Sequence, residues 1–343
     1  TPREPCGFSL DNISVKVVPE YRKPRLPQVW VQLQLPRHVS GGGLVSFCNL
    51  APVAIKKHIV CIHDLHTRLM PESYGRGFRM AHRVILPLLG RRVRHIATVS
   101  SLSRDHLVAY GVAPAEKITI TYNGGDHATH WNAHASDLAI GIRPFVFCLG
   151  QDQAYKNTEL IWRIGPALDA LGLDVYVAGG LSPAAQARLG ARPANLRLLG
   201  RISDDDLALM FREALCFLFP SRIEGFGLPA VEAMTCGCPV VASDSPCLPE
   251  VCADGALYAG PDDPDAWVAA IEALHTDPQL RTDMTARGQA VASRYTWRRV
   301  ALSYLSLMAH ADGMKPALET VKPHQRPAET AAIPPVLRGA GMR

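Results

Sequence analysis

The sequence is expected to fold as an α/β protein in two halves, each a parallel sheet covered by helices on both faces. Short apolar runs of strand length alternate with helical stretches along most of the chain, and strands separated by helices have to cross over and pair in parallel. The pattern also restarts: past a turn at Asn123-Gly124-Gly125-Asp126, a second strand series opens at Phe145. A chain of 343 residues can build two cores. The divisions expected are residues 1–140, residues 141–313, and a Pro-rich, aperiodic and flexible tail over 314–343.

In the first half, the alternation Ile13-Ser14-Val15-Lys16-Val17-Val18 predicts a strand, and the basic stretch Arg22-Lys23-Pro24-Arg25 precedes a helix over 27–37. Strands follow at 44–47 and 59–62, the second ending in His63-Asp64-Leu65-His66. A parallel strand's C-terminal end faces the ligand crevice, so His63 and Asp64 are placed for chemistry. The His-x-x-His spacing invites a metal, but no third ligand with zinc-site spacing accompanies it, and no metal is expected. A helix over 77–96 carries Arg79, Arg83, Arg91, Arg92 and Arg94 among apolar residues. Such a face is either solvated or lies on anionic lipid. A strand over 97–100 runs into Ser101-Leu102-Ser103, whose hydroxyls suit the cap of a helix reaching Tyr110. The strand 118–122 then leads to the turn, and His127, His130 and His134 beyond it read as polar linker residues.

The second half opens with the strand Phe145 to Leu149, closed by Gly150-Gln151, then Lys156-Asn157 and a helix with Ile161, Ile164, Leu168 and Leu171 on one face. Strands are expected at 175–178, 196–199, 215–219, 240–242 and 256–258, with helices over 204–214, 229–235, 264–275, 277–294 and 297–311. One stretch organises the rest: Arg222-Ile223-Glu224-Gly225-Phe226-Gly227-Leu228-Pro229, running on to Glu232. Two glycines permit a sharp turn at a strand end, and Pro229 is preset for a helix's first turn. The helix start that results suits a phosphate. Two carboxylates beside an anion site would accept hydroxyls on both sides of a diphosphate, as in a nucleotide-sugar. The competing reading is a Gly-rich turn in which Glu232 only favours the helix dipole.

Glu224 and Glu232 are separated by seven residues, and the pattern continues into Cys236-Gly237-Cys238-Pro239-Val240. This closely resembles the signature of retaining family 4 glycosyltransferases, and the match runs from about residue 8 to 311. The resemblance implies the GT-B fold: two Rossmann-like domains facing each other across a cleft, the first holding the acceptor and the second the nucleotide-sugar donor, with the last helix crossing back. That family opens with a strand, glycine-rich loop and helix ahead of the point matched by Phe8, so the N-terminal domain is expected to lack them. By the resemblance, Glu224 and the amides of Gly225, Phe226, Gly227 and Leu228 contact the sugar, Glu232 the ribose, and Lys156 the diphosphate. Gly150 and Gln151 border the donor. The loop Gly200-Arg201-Ile202 holds the base, and His63 lies against the sugar with Asp64 on the acceptor side. Many relatives have Arg where Gln151 stands, which gives Arg222 a helping part. The implied reaction is a retaining, metal-independent hexosyl transfer without a cofactor, from GDP-mannose first and a UDP-hexose second, to a glycan or lipid-linked hydroxyl. A non-catalytic nucleotide-sugar-binding subunit is the alternative.

Composition narrows the setting. No run approaches the ~18 to 20 apolar residues of a membrane span and no signal peptide opens the chain, so a cytoplasmic protein is expected. The nine cysteines fall mostly in apolar runs without C-x-x-C spacing, which predicts reduced, buried thiols. Residues 1–140 carry 17 Lys and Arg against 9 Asp and Glu, residues 141–313 carry 14 against 20. A basic first half fits an anionic surface, such as the inner face of the cytoplasmic membrane. Nucleic acid is not expected, because the arginines lack interleaved aromatics. Oligomeric state is left open.

Overall fold

A computed structural model describes residues 27–39, 42–49 and 51–314. The strand expected at 13–18, the basic stretch at 22–25 and the tail from 315 lie outside the described residues. In the first half the order is α1 (Pro27–Leu33), β1 (Leu44–Ser46), β2 (His58–Cys61), α2 (His66–Leu69), α3 (Arg76–Arg92), β3 (His95–Thr98), α4 (Ser101–Ala109) and β4 (Ile118–Ile120). The second half runs β5 (Phe145–Leu149), α5 (Thr158–Ala170), β6 (Asp174–Ala178), α6 (Pro183–Leu189), β7 (Leu196–Gly200), α7 (Asp204–Glu213), β8 (Cys216–Phe219) and α8 (Leu228–Thr235). It continues through β9 (Val240–Ser243), α9 (Cys247–Cys252), β10 (Ala256–Ala259), α10 (Pro264–Thr276), α11 (Pro278–Ala292) and α12 (Trp297–Ala311).

The strands form two parallel sheets, ordered β1-β2-β3-β4 and β10-β9-β8-β5-β6-β7. The second sheet's central strands are buried on both faces: β5 and β8 sit in the middle, and Val146, Phe147, Cys216, Phe217 and Leu218 are all out of solvent. One apolar cluster spans both sheets, from Ile59, Cys61, Ala97 and Val99 to Phe219, Phe226, Val231, Tyr295 and Tyr304. The last helix, α12, lies against the end of the first sheet's β1. Its Tyr304 is buried with its ring 5.0 Å from that of Phe47, and Asp312 just past its end pairs with Lys57 at 2.8 Å.

Several expectations shift in detail. The helix expected over 77–96 stops at Arg92, because Val93 and Arg94 turn the chain and His95 and Ile96 pair with Ile59 and Val60 in the sheet. The cap of α4 is Ser100, whose Oγ accepts from the Ser103 amide at 3.1 Å, rather than the hydroxyls after it. Neither α6 nor α9 announces itself in sequence. Seven and six residues long, they are too short for a periodic apolar stripe. Cys61, Cys148, Cys216, Cys238, Cys247 and Cys252 are buried free thiols, and burial pushes Cys148 up to about 12. Among the described residues, no helix is long and apolar enough to cross a membrane.

Candidate functional site

The strand order of the second sheet places the site. After β5 the chain adds β6 and β7 outward on one side, then returns to lay β8 on the other side of β5. Between β5 and β8 the connections diverge, and a crevice opens at the strands' C-terminal ends. Lys156 follows β5 and Glu224 follows β8, so the fold brings them to opposite lips of that crevice. Lys156 Nζ donates to Glu224 Oε1 at 2.7 Å, with the two side chains only 15% and 10% exposed. The ammonium also lies 5.3 Å and 5.8 Å from the ring centroids of Tyr155 and Phe219.

The loop between β8 and α8 depends on two glycines. Gly227 has φ 91°, and a Cβ there would stand 2.6 Å from Leu248 Cδ2. A Cβ on Gly225 would stand 2.8 Å from the His63 carbonyl oxygen, so the loop touches the end of β2 in the other half. Leu228 and Pro229 begin α8 as the sequence predicts. Phe226 differs from its neighbours. Its ring is buried against Tyr122 and Tyr295, at centroid distances of 6.2 and 5.4 Å, so this residue can offer a ligand only its backbone.

Around the pair, Asn157 takes φ 54° and its Nδ2 donates to the carbonyls of Pro220 at 3.2 Å and Pro261 at 2.8 Å, tying three loops together. Arg222 forks onto Asp262 at 2.9 and 2.6 Å and reaches Asn157 Oδ1 at 3.2 Å. Its guanidinium is thus committed to Asp262 rather than joined to the Lys156–Glu224 pair. Gly150 closes β5 with its amide on the Ala178 carbonyl, and the backbone of Gln151 is bound to Thr158 Oγ1 at the start of α5. Gly200, at φ 69°, ends β7 and leads into the Arg201-Ile202 loop. A cavity of about 770 Å³ adjoins the site, lined by Gln151, Asn157, Thr158 and Arg222 from the second half and by Glu72 and Ser73 from the first. Lys156, Glu224 and Glu232 do not line it.

Glu232 stands one turn into α8. Its Oε1 is 3.0 Å from His127 Nε2. Burial raises the Glu232 carboxyl above the usual range, and the imidazole opposes this. His127 is therefore more than the linker residue its sequence context predicts.

From the first half, His63 Nε2 donates to the Phe47 carbonyl at 2.7 Å, and its amide donates to Asn49 Oδ1 at 2.8 Å. The Cys61 sulfur foremost, then the Phe47 carbonyl and Asp64, push the imidazole up to about 9 against burial. Asp64 Oδ1 accepts from the His66 amide at 2.9 Å, holding the turn into α2. Among the described residues, no group of three His, Cys, Asp or Glu is set to hold a metal ion.

Sequence reasoning missed Glu250, on α9. Its Oε1 accepts from the Ser101 amide at 2.7 Å and from Tyr122 Oη at 3.0 Å, and Oε2 lies 3.4 Å from the Leu102 amide. A carboxylate of the second half thus caps a helix of the first. Nothing in the sequence signals a cap from a residue 149 positions away.

The model of the family described as glycosyl transferases group 1 matches residues 133–291. O-antigen chain mannosyltransferase B of Escherichia coli is 45% identical over 265 residues, covering 72% of this chain and 68% of that protein. O-antigen chain mannosyltransferase RfbU of Salmonella typhimurium is 24% identical over 276 residues, covering 78% and 73%. Among solved structures, WaaG, a glycosyltransferase involved in lipopolysaccharide biosynthesis, superposes with a TM-score of 0.61 at 16% identity, over 82% of this chain and 81% of that one. Sucrose-phosphate synthase of Thermosynechococcus elongatus gives 0.60 at 20% identity, over 75% and 68%. The architecture is GT-B.

Removing the Glu250 carboxylate strands two backbone amides and a phenol at the joint between the halves. Glu250→Ala is expected to lower unfolding free energy by about 1.5 to 3 kcal/mol, read from the midpoint of a urea titration. An unchanged midpoint would show that solvent satisfies the start of α4 equally well.

Proposed function

Because the chain belongs to the group 1 glycosyl transferases and is a glycosyltransferase, we propose that it moves mannose from GDP-mannose to a hydroxyl of a lipid-linked or polysaccharide-precursor glycan, with retention of configuration. The observation that carries this reading is the Lys156–Glu224 pair at the divergence of β5 and β8, under the Gly225 loop and against the end of β2. Two relatives described as O-antigen chain mannosyltransferases support the choice of sugar and acceptor class. A UDP-hexose is the second choice of donor.

In this reading the donor's diphosphate displaces Glu224 from Lys156. The ammonium then meets the leaving phosphates together with the amides that begin α8, and Glu224 turns to the sugar hydroxyls. These groups do the electrostatic work on the leaving group, so the transfer needs neither a metal nor another cofactor. The departing diphosphate takes the acceptor's proton on the face it leaves. Glu232 accepts from the ribose, and the Gly200-Arg201-Ile202 loop meets the base. His63, whose Nε2 is held by the Phe47 carbonyl, lies with its ring against the sugar. Asp64 stands on the acceptor side. Lys156→Ala is expected to lower kcat roughly a hundredfold, about 2.7 kcal/mol of barrier, with the parent's turnover unchanged by chelator. Activity lost in chelator and restored by magnesium or manganese would overturn the assignment of the counter-charge to Lys156.

A lipid-linked acceptor also requires the enzyme to reach the membrane, and α3 offers a means at its cytoplasmic face. Met80, Val84 and Leu88 form an exposed stripe at i, i+4 spacing with Phe78 beside it, and Arg76, Arg83, Arg91, Arg92 and Arg94 are exposed along and just past the helix. Each basic residue near an anionic surface contributes about 1 kcal/mol and is screened by salt. The parent should sediment with vesicles of anionic lipid at low salt, and the combined Arg91→Glu, Arg92→Glu, Arg94→Glu variant should remain in the supernatant. Equal pelleting of both, or of neither, rejects docking through α3.

A further inference from the structure

The linker that joins the two sheets passes between α8 and the start of α12, and His127 occupies that crossing. Its Nδ1 lies 3.1 Å from Trp297 Nε1, and its Nε2 lies 3.0 Å from Glu232 Oε1. An indole N–H only donates, so Nδ1 has to carry its lone pair, and the ring's single N–H is then on Nε2, directed at the carboxylate. Trp297 therefore fixes the tautomer, and the tautomer fixes a donor on Glu232. The imidazole is itself held in place. The Trp131 ring stands edge-on to it at 5.4 Å, and Asp126 Oδ1 accepts from the Trp297 amide at 2.8 Å. The Glu232 side chain is 12% exposed, and among the described residues Oε2 has no hydrogen-bond partner, which leaves one oxygen directed by protein and one for a ligand.

We propose that His127 is a positioning residue for the donor nucleotide: its Nε2–H sets the rotamer of Glu232 so that the free carboxylate oxygen meets the ribose hydroxyls. This rests on the reading of Glu232 as the ribose acceptor. His127 also joins that acceptor to Trp297, where the returning helix begins, so the nucleotide site and the crossing between the halves share one hydrogen-bonded chain.

Charge supports the same role. Burial raises the Glu232 carboxyl, the imidazole pulls it back down, and Asp204 at the start of α7 pushes it up again; Cys236 at the end of α8 is the remaining titratable neighbour. A carboxyl with a raised pKa is charged above that value and loses its charge as pH falls through it. Without the imidazole N–H, burial stands unopposed and the charge is lost at a higher pH.

The test is calorimetric titration of GDP into the parent, His127→Ala, His127→Gln and Glu232→Ala at several pH values between about 8.5 and 5.5. His127→Ala is expected to weaken GDP about tenfold at the upper end, with the loss growing severalfold as pH falls while the parent changes less. His127→Gln, whose amide both donates to Glu232 and accepts from Trp297, should recover most of the affinity and the flatter profile. If His127→Ala matches the parent throughout, or loses affinity equally at every pH without recovery in His127→Gln, the positioning role is overturned. Glu232→Ala separates the two assignments. Parent-like GDP binding by that variant removes Glu232 from the ribose, whereas weakened binding beside an unaffected His127→Ala removes His127 alone.

Discussion

A lysine and a glutamate, each largely withdrawn from water, hold one another at 2.7 Å where β5 and β8 part. Removing either partner would leave a poorly solvated charge, which is far more costly than the pair itself. The surroundings are arranged to keep them there. Asn157, in a left-handed conformation, ties the Lys156 turn to the Pro220 and Pro261 loops, and the Arg222 amide donates to the Tyr155 carbonyl at 2.7 Å. Both side chains therefore arrive on short, pinned loops rather than long mobile ones. A ligand able to solvate each charge separately, with phosphate for the ammonium and hydroxyls for the carboxylate, is the natural replacement for their mutual contact.

Three of the contacts between the two halves differ in chemistry. The Gly225 loop sits against the His63 carbonyl with no room for a side chain. Glu250 caps α4 across the boundary, and α12 brings Tyr304 onto the first sheet. The first is steric, the second electrostatic and the third apolar. The first of these belongs to the same loop as Glu224, so the site and the boundary share one segment of chain.

Much of this was legible in the sequence, for physical reasons. Strands buried on both faces are continuous apolar runs, as in Phe145 to Leu149 and Cys216 to Phe219, and their order with intervening helices implied parallel pairing. The Gly225-Phe226-Gly227 turn and Pro229 announced the strand-to-helix junction. Contacts between residues distant in sequence were not legible. His127 looked like one of several linker histidines until Trp297, 170 positions later, fixed its tautomer. Glu250 drew no reading at all, because the six-residue helix that carries it leaves no periodic signal. Phe226 sat inside a ligand-binding motif, yet its ring belongs to the core with Tyr122 and Tyr295. Arg222 looked available to a diphosphate, and only the fold revealed that Asp262 holds it.

The central claim of the proposed function is that the donor's diphosphate takes Glu224's place on Lys156 and that Glu224 turns to the sugar hydroxyls. Calorimetric titration of Glu224→Ala with GDP and with GDP-mannose tests it most directly. The account predicts that the variant binds GDP at least as tightly as the parent, because Lys156 is released to the diphosphate, while the affinity the mannose adds falls about tenfold, the value of a hydrogen bond to a charged group. Equal losses for both ligands, or unchanged binding of both, would contradict it.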